Sequence, residues 1–144
     1  MLLQLNNIYR DVDIRYFILY IISGSLVILY ENIKLILNKY NVNKSLLFLE
    51  GNYLQNKYIT IDKWYFTHLI FYSILGYLYP NTFYLSMFIG IIWELFESYL
   101  GLYKPLWFFK NNKNNSSNSW HGRISDIFVN SIGFLIGSNL RFII

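Results

Sequence analysis

Cysteine is absent from this chain of 144 residues, which excludes disulfide bonds, thiolate metal sites and thiol nucleophiles. Charge is also scarce, because Asp, Glu, Lys and Arg together make up only 14% of the residues. A soluble domain of similar size carries about 25% charged residues. Apolar residues take the place of the missing charge and reach 55% of the chain. This balance indicates an integral membrane protein of one domain.

The sequence motifs of several soluble enzyme classes are missing as well. The chain contains no G-x-S-x-G, no G-x-x-x-x-G-K-[ST], no G-x-G-x-x-G and no H-E-x-x-H. Its lysines are spread over two polar stretches rather than collected on one face, which argues against binding to nucleic acid. The lipid bilayer is therefore the expected partner.

Four apolar segments are about as long as a membrane-spanning helix, although the second is short. They lie at about residues 14–37, 64–79, 82–102 and 124–143. Asp13 precedes the first segment, where its carboxylate can cap a helix. Pro80 and Asn81 form a tight turn that makes the second and third segments antiparallel neighbours. The polar stretches 38–63 and 103–123 are then loops. We predict an all-α fold, a bundle of four transmembrane helices.

Positive charge is concentrated on the side of the two long loops. Eight basic residues lie on that side and three on the side of the termini. The eight are Lys39, Lys44, Lys57, Lys63, Lys104, Lys110, Lys113 and Arg123. Because cytoplasmic loops tend to be basic, we predict that both long loops face the cytoplasm. There they can contact anionic lipid headgroups, at about 1 kcal/mol per basic residue near the surface.

Residues 90–101, GIIWELFESYLG, place two carboxylates inside an apolar segment. Glu94 and Glu97 fall with Gly90 and Gly101 on one stripe of a helix, at about 100° per residue. A carboxylate near the middle of a bilayer costs about 2.5–3.5 kcal/mol. The two acids therefore predict polar partners on neighbouring helices.

Polar side chains of all four segments fall at a similar depth. Counting the helical rise from the segment ends puts them about 5–12 Å below the loop-side face. We predict one polar pocket in the cytoplasmic half of the bundle, formed by Glu31, His68, Glu94, Glu97, Asp126 and Asn130. His121 and Arg123 are expected at its rim, where Arg123 can pair with the acids.

Three interpretations of this pocket remain open. In the first, it holds a divalent metal, since oxygen and imidazole ligands suit Mg, Mn, Fe or Zn. The metal ligands would be Glu94, Glu97, Asp126 and His68. In the second, the acids pair with Arg123 or a histidine, and the pocket binds a polar ligand such as a lipid headgroup or relays protons. In the third, protonated acids bond to Tyr, Ser or Asn on facing helices and only set the register of the bundle.

The fourth segment carries a motif of small residues. Gly133 and Gly137 form a G-x-x-x-G pair, which allows another helix to pack closely. They follow Asp126 and Asn130 in the stretch SDIFVNSIGFLIG at 125–137.

Together with WELFE at 93–97, this stretch resembles the VanZ-like group of small polytopic membrane proteins. That group shows a glutamate-bearing helix followed by a helix of pattern D-x-x-x-N-x-x-G-x-x-x-G. The upstream DKWYFTH at 62–68 is similar to the D-x-W…H entry to the second span in related families. The resemblance implies a multi-pass membrane fold. Founding members are associated with glycopeptide-antibiotic resistance at the bacterial envelope, an activity that we do not carry over to this chain.

The leading hypothesis for function is a non-enzymatic membrane component that binds a polar headgroup or a small ligand in the pocket. The alternative is a metal-dependent enzyme that modifies lipids, with a divalent metal as its cofactor.

Overall fold

The computed structural model describes residues 12–40, 52–55, 60–103 and 124–143, and four α-helices form most of this part of the chain. The helices are α1 (Ile14–Lys39), α2 (Trp64–Leu78), α3 (Phe83–Tyr103) and α4 (Ile124–Ile143). The predicted helical fold is confirmed, and the helices lie in the four apolar segments. That all four cross a bilayer stays a prediction.

Helix α1 begins behind a side-chain cap. Asp13 Oδ1 accepts hydrogen bonds from the backbone N–H groups of Arg15, at 2.8 Å, and Tyr16, at 3.3 Å. These two donors are among the four that the first turn of a helix leaves without an intrahelical partner. The Arg15 guanidinium also donates to Asp13 Oδ2 at 2.7 Å. This side-chain hydrogen bond is the main reason that the pKa of Asp13 lies below its ordinary value.

A short β-hairpin precedes α2, in a stretch that we predicted as loop. Strand β1 (Asn52–Gln55) pairs antiparallel with β2 (Thr60–Asp62), and the register is irregular between Asn52 and Leu54. The β-branched pair Thr60 and Ile61 favours an extended backbone, which is a signal that the prediction did not use. By its sequence, SLLFLE at residues 45–50 suits either a short interfacial helix or part of the loop, and it lies outside the described residues.

Helix α2 ends at the predicted turn. The Tyr79 N–H donates to the Leu75 carbonyl at 2.7 Å, and Pro80 then opens a 3₁₀ turn, Pro80–Thr82. Proline has no N–H and cannot continue the ladder, so the chain leaves the helix here. The Thr82 hydroxyl donates to the Tyr79 carbonyl at 2.8 Å and secures the turn. Helix α3 starts at the next residue, Phe83.

Helix α2 packs most closely on α4, although α3 is its neighbour along the chain. Glycines permit this approach from both sides. A Cβ atom at Gly133 would lie 2.6 Å from the Leu69 carbonyl oxygen, and one at Gly137 would lie 2.7 Å from the Ser73 carbonyl carbon. Gly76 of α2 faces the Phe134 backbone in the same way. Removing side-chain volume lets the two backbones touch.

Helix α1 is held by long side chains instead. The Tyr16 ring is fully buried and meets the Tyr79 ring edge-on at 5.2 Å, while its hydroxyl bonds the Ser86 hydroxyl at 2.9 Å. Further along, Tyr30 meets Trp64 edge-on at 5.6 Å. Edge-on ring contacts of this kind keep helix axes apart while still burying apolar area.

The described helices expose many large apolar side chains and bury several polar ones, around a small apolar core. Large apolar side chains are exposed on all four helices, including Ile21 and Leu26 on α1 and Phe128 on α4. Polar and charged side chains are buried, namely Glu31, Lys34, Thr82, Ser86, Glu94, Asp126 and Asn130. Two segments, Ile14–Lys34 and Pro80–Gly101, are long and apolar enough to cross a membrane.

Candidate functional site

A cluster of three potential metal ligands lies where α2, α3 and α4 meet. It consists of His68, Glu94 and Asp126, whose ligand atoms all lie within 4.8 Å of one another. Both carboxyl side chains are buried, with 7% of Glu94 and 8% of Asp126 exposed. Asp126 belongs to the first turn of α4, where the positive end of the helix dipole favours a carboxylate. We call these three residues the acid–histidine cluster.

The orientation of the His68 ring is set by a fourth residue. Asn130 is almost fully buried, and its Oδ1 lies 2.9 Å from His68 Nδ1. An amide oxygen only accepts hydrogen bonds, so Nδ1 carries the ring proton and donates. Nε2 is the other ring nitrogen, and it takes no part in this hydrogen bond. Asn130 therefore supports the acid–histidine cluster from one turn further along α4.

Gly90 makes room for this arrangement on the face of α3. A Cβ atom there would lie 2.5 Å from the Tyr72 hydroxyl and 3.2 Å from Asn130 Nδ2. Any larger residue would displace the Tyr72 ring or the Asn130 amide. Gly90, the first residue of the GIIWELFESYLG stretch, thus has a packing role one turn before Glu94.

Glu97 lies outside the acid–histidine cluster, although the metal interpretation grouped it with Glu94. Its Oε1 accepts a hydrogen bond from Trp93 Nε1 at 2.7 Å, four residues earlier on the same helix. The two acids are three residues apart and share a helix face, but the Glu97 carboxylate is turned toward Trp93 and away from His68 and Asp126. Glu97 instead lines the cavity described below.

Glu31 has a charged neighbour on its own helix. Its Oε1 lies 3.6 Å from Lys34 Nζ, and both side chains are buried. Residues three apart share a helix face, so this pair forms without help from another helix. The predicted rim residues His121 and Arg123 lie outside the described residues.

A cavity of about 290 Å³ opens between α1, α2 and α3, next to the acid–histidine cluster. Most of its wall is aromatic or aliphatic, and the polar side chains on it include His68 and Glu97. The ring-bearing residues of the wall are Tyr20, Trp64, His68, Phe71, Tyr72, Trp93 and Phe96. Because His68 belongs to both features, a molecule in the cavity would lie beside the cluster.

The sequence argument missed the apolar part of this site. The sequence predicts no role in a site for Trp64, Trp93 or Phe96, yet all three line the cavity. The available signal was the spacing of Trp93 and Glu97, which places the indole N–H beside a carboxylate on one helix face. A second polar group, Tyr16 with Ser86 and Thr82, closes the opposite end of the bundle beside the Pro80 turn.

Comparison with known proteins identifies no relative: no family model matches this chain, and no significant match is found among curated proteins or solved structures.

Proposed function

We propose that this chain is a multi-pass membrane protein that binds an amphipathic lipid, with the apolar part in the cavity and the polar headgroup beside His68 and Glu97. The cavity carries this proposal, because it combines apolar walls with an imidazole and a carboxylate. Its volume of about 290 Å³ is near the lower end of the roughly 300–1,000 Å³ typical of ligand pockets. A single hydrocarbon chain with a small headgroup suits such a space.

The proposal that all four helices span the membrane depends on α2 and α4. Both helices expose large apolar side chains on their outer surfaces. Phe66, Ile70 and Ile74 are exposed on α2, and Phe128 and Ile132 are exposed on α4. Such surfaces need hydrocarbon around them. The 15 residues of α2 extend about 22 Å, which is less than the roughly 30 Å of a hydrocarbon core. Local thinning of the bilayer would accommodate the short span.

The cytoplasmic orientation of the long loops belongs to the same proposal. Glycosylation sequons begin at Asn43, Asn114 and Asn115, all within those loops. In a eukaryotic expression host we expect no glycan at these positions, because glycosylation occurs on the opposite side of the membrane. A mobility shift that is removed by a glycosidase would reverse the orientation.

Membership of the VanZ-like group is also part of the proposal. Two polar members of its motif, Asp126 and Asn130, lie at the acid–histidine cluster and beside it. Its two glycines, Gly133 and Gly137, lie at the contact between α2 and α4. Each motif position therefore has a physical role in this chain.

Filling the cavity tests the binding of a lipid. Val27 lines the cavity from α1, whereas its neighbour Leu26 is 59% exposed on the same helix. We expect Val27→Trp to occupy the space and Leu26→Trp to leave it open. The measurement is native mass spectrometry of purified protein in detergent, which counts the lipid molecules retained per chain.

The expected result is one retained lipid in the parent and in Leu26→Trp, and none in Val27→Trp. Equal retention in both variants would show that lipid binds elsewhere on the apolar surface. Circular dichroism of the two variants shows whether each one is folded, so that loss of binding is not confused with loss of structure.

A metal-dependent lipid-modifying enzyme is the second candidate. The observation that favours it is the position of the acid–histidine cluster beside the cavity, through the shared residue His68. A bound metal can activate water for attack on an ester or phosphate. The expected result is conversion of a phospholipid by purified protein with added Zn²⁺ or Mn²⁺, lost on substitution of Glu94 by Gln. Retention of intact lipid with no conversion favours the binding role.

A further inference from the structure

We infer that His68, Glu94 and Asp126 bind a divalent transition-metal ion, and that this ion holds an anionic headgroup at the polar end of the cavity. The three side chains come from three helices, α2, α3 and α4, and bring one imidazole and two carboxylates together. Mixed nitrogen and oxygen ligands of this kind suit Zn²⁺, Mn²⁺ or Fe²⁺.

The spacing of the ligand atoms is compatible with one ion. Metal–ligand distances for Zn²⁺ are about 2.0–2.2 Å, so two ligand atoms on the same ion lie about 3–4 Å apart. The three atoms here lie within 4.8 Å of one another. Side-chain rotations that bring them closer by about 1 Å would complete the coordination, with no movement of the helices.

The support around the ligands is of the type that metal sites use. A metal-bound histidine commonly donates its other ring N–H to a carbonyl or carboxylate oxygen, which fixes its tautomer. Here Asn130 Oδ1 accepts from His68 Nδ1 at 2.9 Å, and Nε2 is the ring nitrogen available to a metal. Asn130 is 1% exposed, so this support is held by packing.

The charge of the ligands also suits a divalent cation. Glu94 and Asp126 are both acids, and both are buried. Two carboxylates and one imidazole form a ligand set whose charge a divalent cation matches.

The class of headgroup follows from the ion, and this step rests on the proposed function. Three protein ligands leave at least one coordination position open on a four-coordinate ion. Because His68 lines the cavity, that position is accessible to an oxygen of a bound molecule. An anionic phosphate oxygen is a strong ligand for a divalent cation that already has oxygen ligands. The proposed ligand is therefore a phosphate-bearing lipid.

Metal binding is tested on the purified full chain in detergent after removal of metals with a chelator. Titration with Zn²⁺ and Mn²⁺ is followed by isothermal calorimetry, and elemental analysis gives the stoichiometry. We expect one ion per chain. The double variant Glu94→Gln, Asp126→Asn should bind at least about 100-fold more weakly, since it loses two of the three ligands.

Asp13→Asn is the control, because it removes a carboxylate at the cap of α1, outside both the cluster and the cavity wall. Its metal affinity should stay within about threefold of the parent. Asn130→Ala, which removes the support of His68, should weaken binding by about 10–100-fold. Equal affinity in the parent and the double variant, or no ion on folded parent protein, would overturn the metal site.

His68→Gln provides a second variant if the double substitution does not fold. Co²⁺ then serves as a spectroscopic probe, since its visible absorption bands change when a nitrogen ligand is lost. A Co²⁺ spectrum that is the same in the parent and in His68→Gln would exclude the imidazole as a ligand and overturn the assignment.

The headgroup is tested with two single-chain lipids, a lysophosphatidic acid and the matching monoacylglycerol. We expect retention of the lysophosphatidic acid to fall at least about tenfold on adding a chelator, and retention of the monoacylglycerol to be unchanged. Metal binding with chelator-independent lipid retention would overturn the headgroup class alone. Metal binding with no retained lipid would overturn the proposed lipid-binding function and leave the metal site standing.

Discussion

Helix α2 is packed in opposite ways on its two sides. Toward α4, glycines bring the backbones together, and a Cβ atom at Gly133 would lie 2.6 Å from a carbonyl oxygen of α2. Toward α1, the contact runs through rings, such as Tyr20 on Phe71 at 5.3 Å. The first side leaves no space, and the second encloses a cavity of about 290 Å³.

The two sides of α2 therefore have different roles: the contact with α4 holds the helices in place, and the side toward α1 leaves room for a ligand. A glycine contact depends on main-chain positions, which are fixed by the helices themselves, so it holds α2 and α4 in one arrangement. A contact between rings depends on side chains that can turn, and it keeps α1 far enough away to leave room for a ligand. Two members of the acid–histidine cluster, His68 and Asp126, lie on the rigid pair, and Glu94 joins them from α3. His68 also lines the cavity on the side of α1.

The largest expected effect comes from adding one methyl group to the glycine contact. In Gly137→Ala the new Cβ would lie 2.7 Å from the Ser73 carbonyl carbon, which is main chain and cannot turn away. We expect a loss of about 2–3 kcal/mol in the free energy of unfolding, although alanine is the better helix former by up to about 1 kcal/mol. Unfolding in mixed detergent micelles measures this change. Parent-like stability would show that α2 and α4 are not in backbone contact.

A smaller loss is expected where α1 meets the start of α3. Tyr16→Phe removes the hydroxyl that bonds Ser86 at 2.9 Å, in a fully buried position. We expect a loss of about 1 kcal/mol, because Ser86 keeps its contact with Thr82 at 3.3 Å. A double-mutant cycle with Ser86→Ala isolates the coupling of the pair. A coupling near zero would mean that the rings alone hold α1.

The matching glycine on the cavity side should tolerate the same methyl group. In Gly24→Ala the new Cβ would lie 3.0 Å from the Trp93 ring, a side chain that borders the cavity and has space to turn. We expect a change within about 0.5 kcal/mol, since the gain in helix propensity offsets the contact. The same micelle unfolding assay measures it. A loss as large as that of Gly137→Ala would remove the distinction between the two sides.

The smallest effect is expected at the start of α1. The pKa of Asp13 is below its ordinary value of 3.8 in the folded chain. The ionised cap therefore stabilises the fold above that pH, and its contribution is lost as the pH falls through the lower folded pKa. Asp13→Asn keeps the capping oxygen but does not titrate, so the stability difference between parent and variant should shrink from pH 6 toward pH 3. A constant difference would contradict the prediction.

The helices were predictable because each is bounded by a local signal. Asp13 caps the first, Pro80 ends the second, and uninterrupted apolar runs fill all four. The hairpin of Asn52–Gln55 and Thr60–Asp62 was missed, because a polar stretch with few apolar residues gave no clear period. Its strands pair residues only five to ten positions apart, so the pairing is local, but no turn motif marks it in the sequence.

The site was only partly predictable, because helical depth and helical direction are different quantities. Depth follows from counting residues, and it placed His68, Glu94 and Asp126 at one level, where the structure brings them together. Direction depends on how each helix is rotated in the bundle and on the rotamer that each side chain adopts. Glu97 was grouped with Glu94 but bonds Trp93, and Glu31 lies beside Lys34 of its own helix.

The amino-acid sequence by itself determined where the helices lie, which polar groups are placed inside apolar segments, and which glycines allow close packing. These properties depend on neighbours within a turn or two of one helix. Only the tertiary structure decided that α2 pairs with α4 rather than with α3, that three acid and imidazole groups converge, and that a cavity remains beside α1. Those outcomes depend on the rotation and separation of whole helices, which the summed packing of many side chains sets.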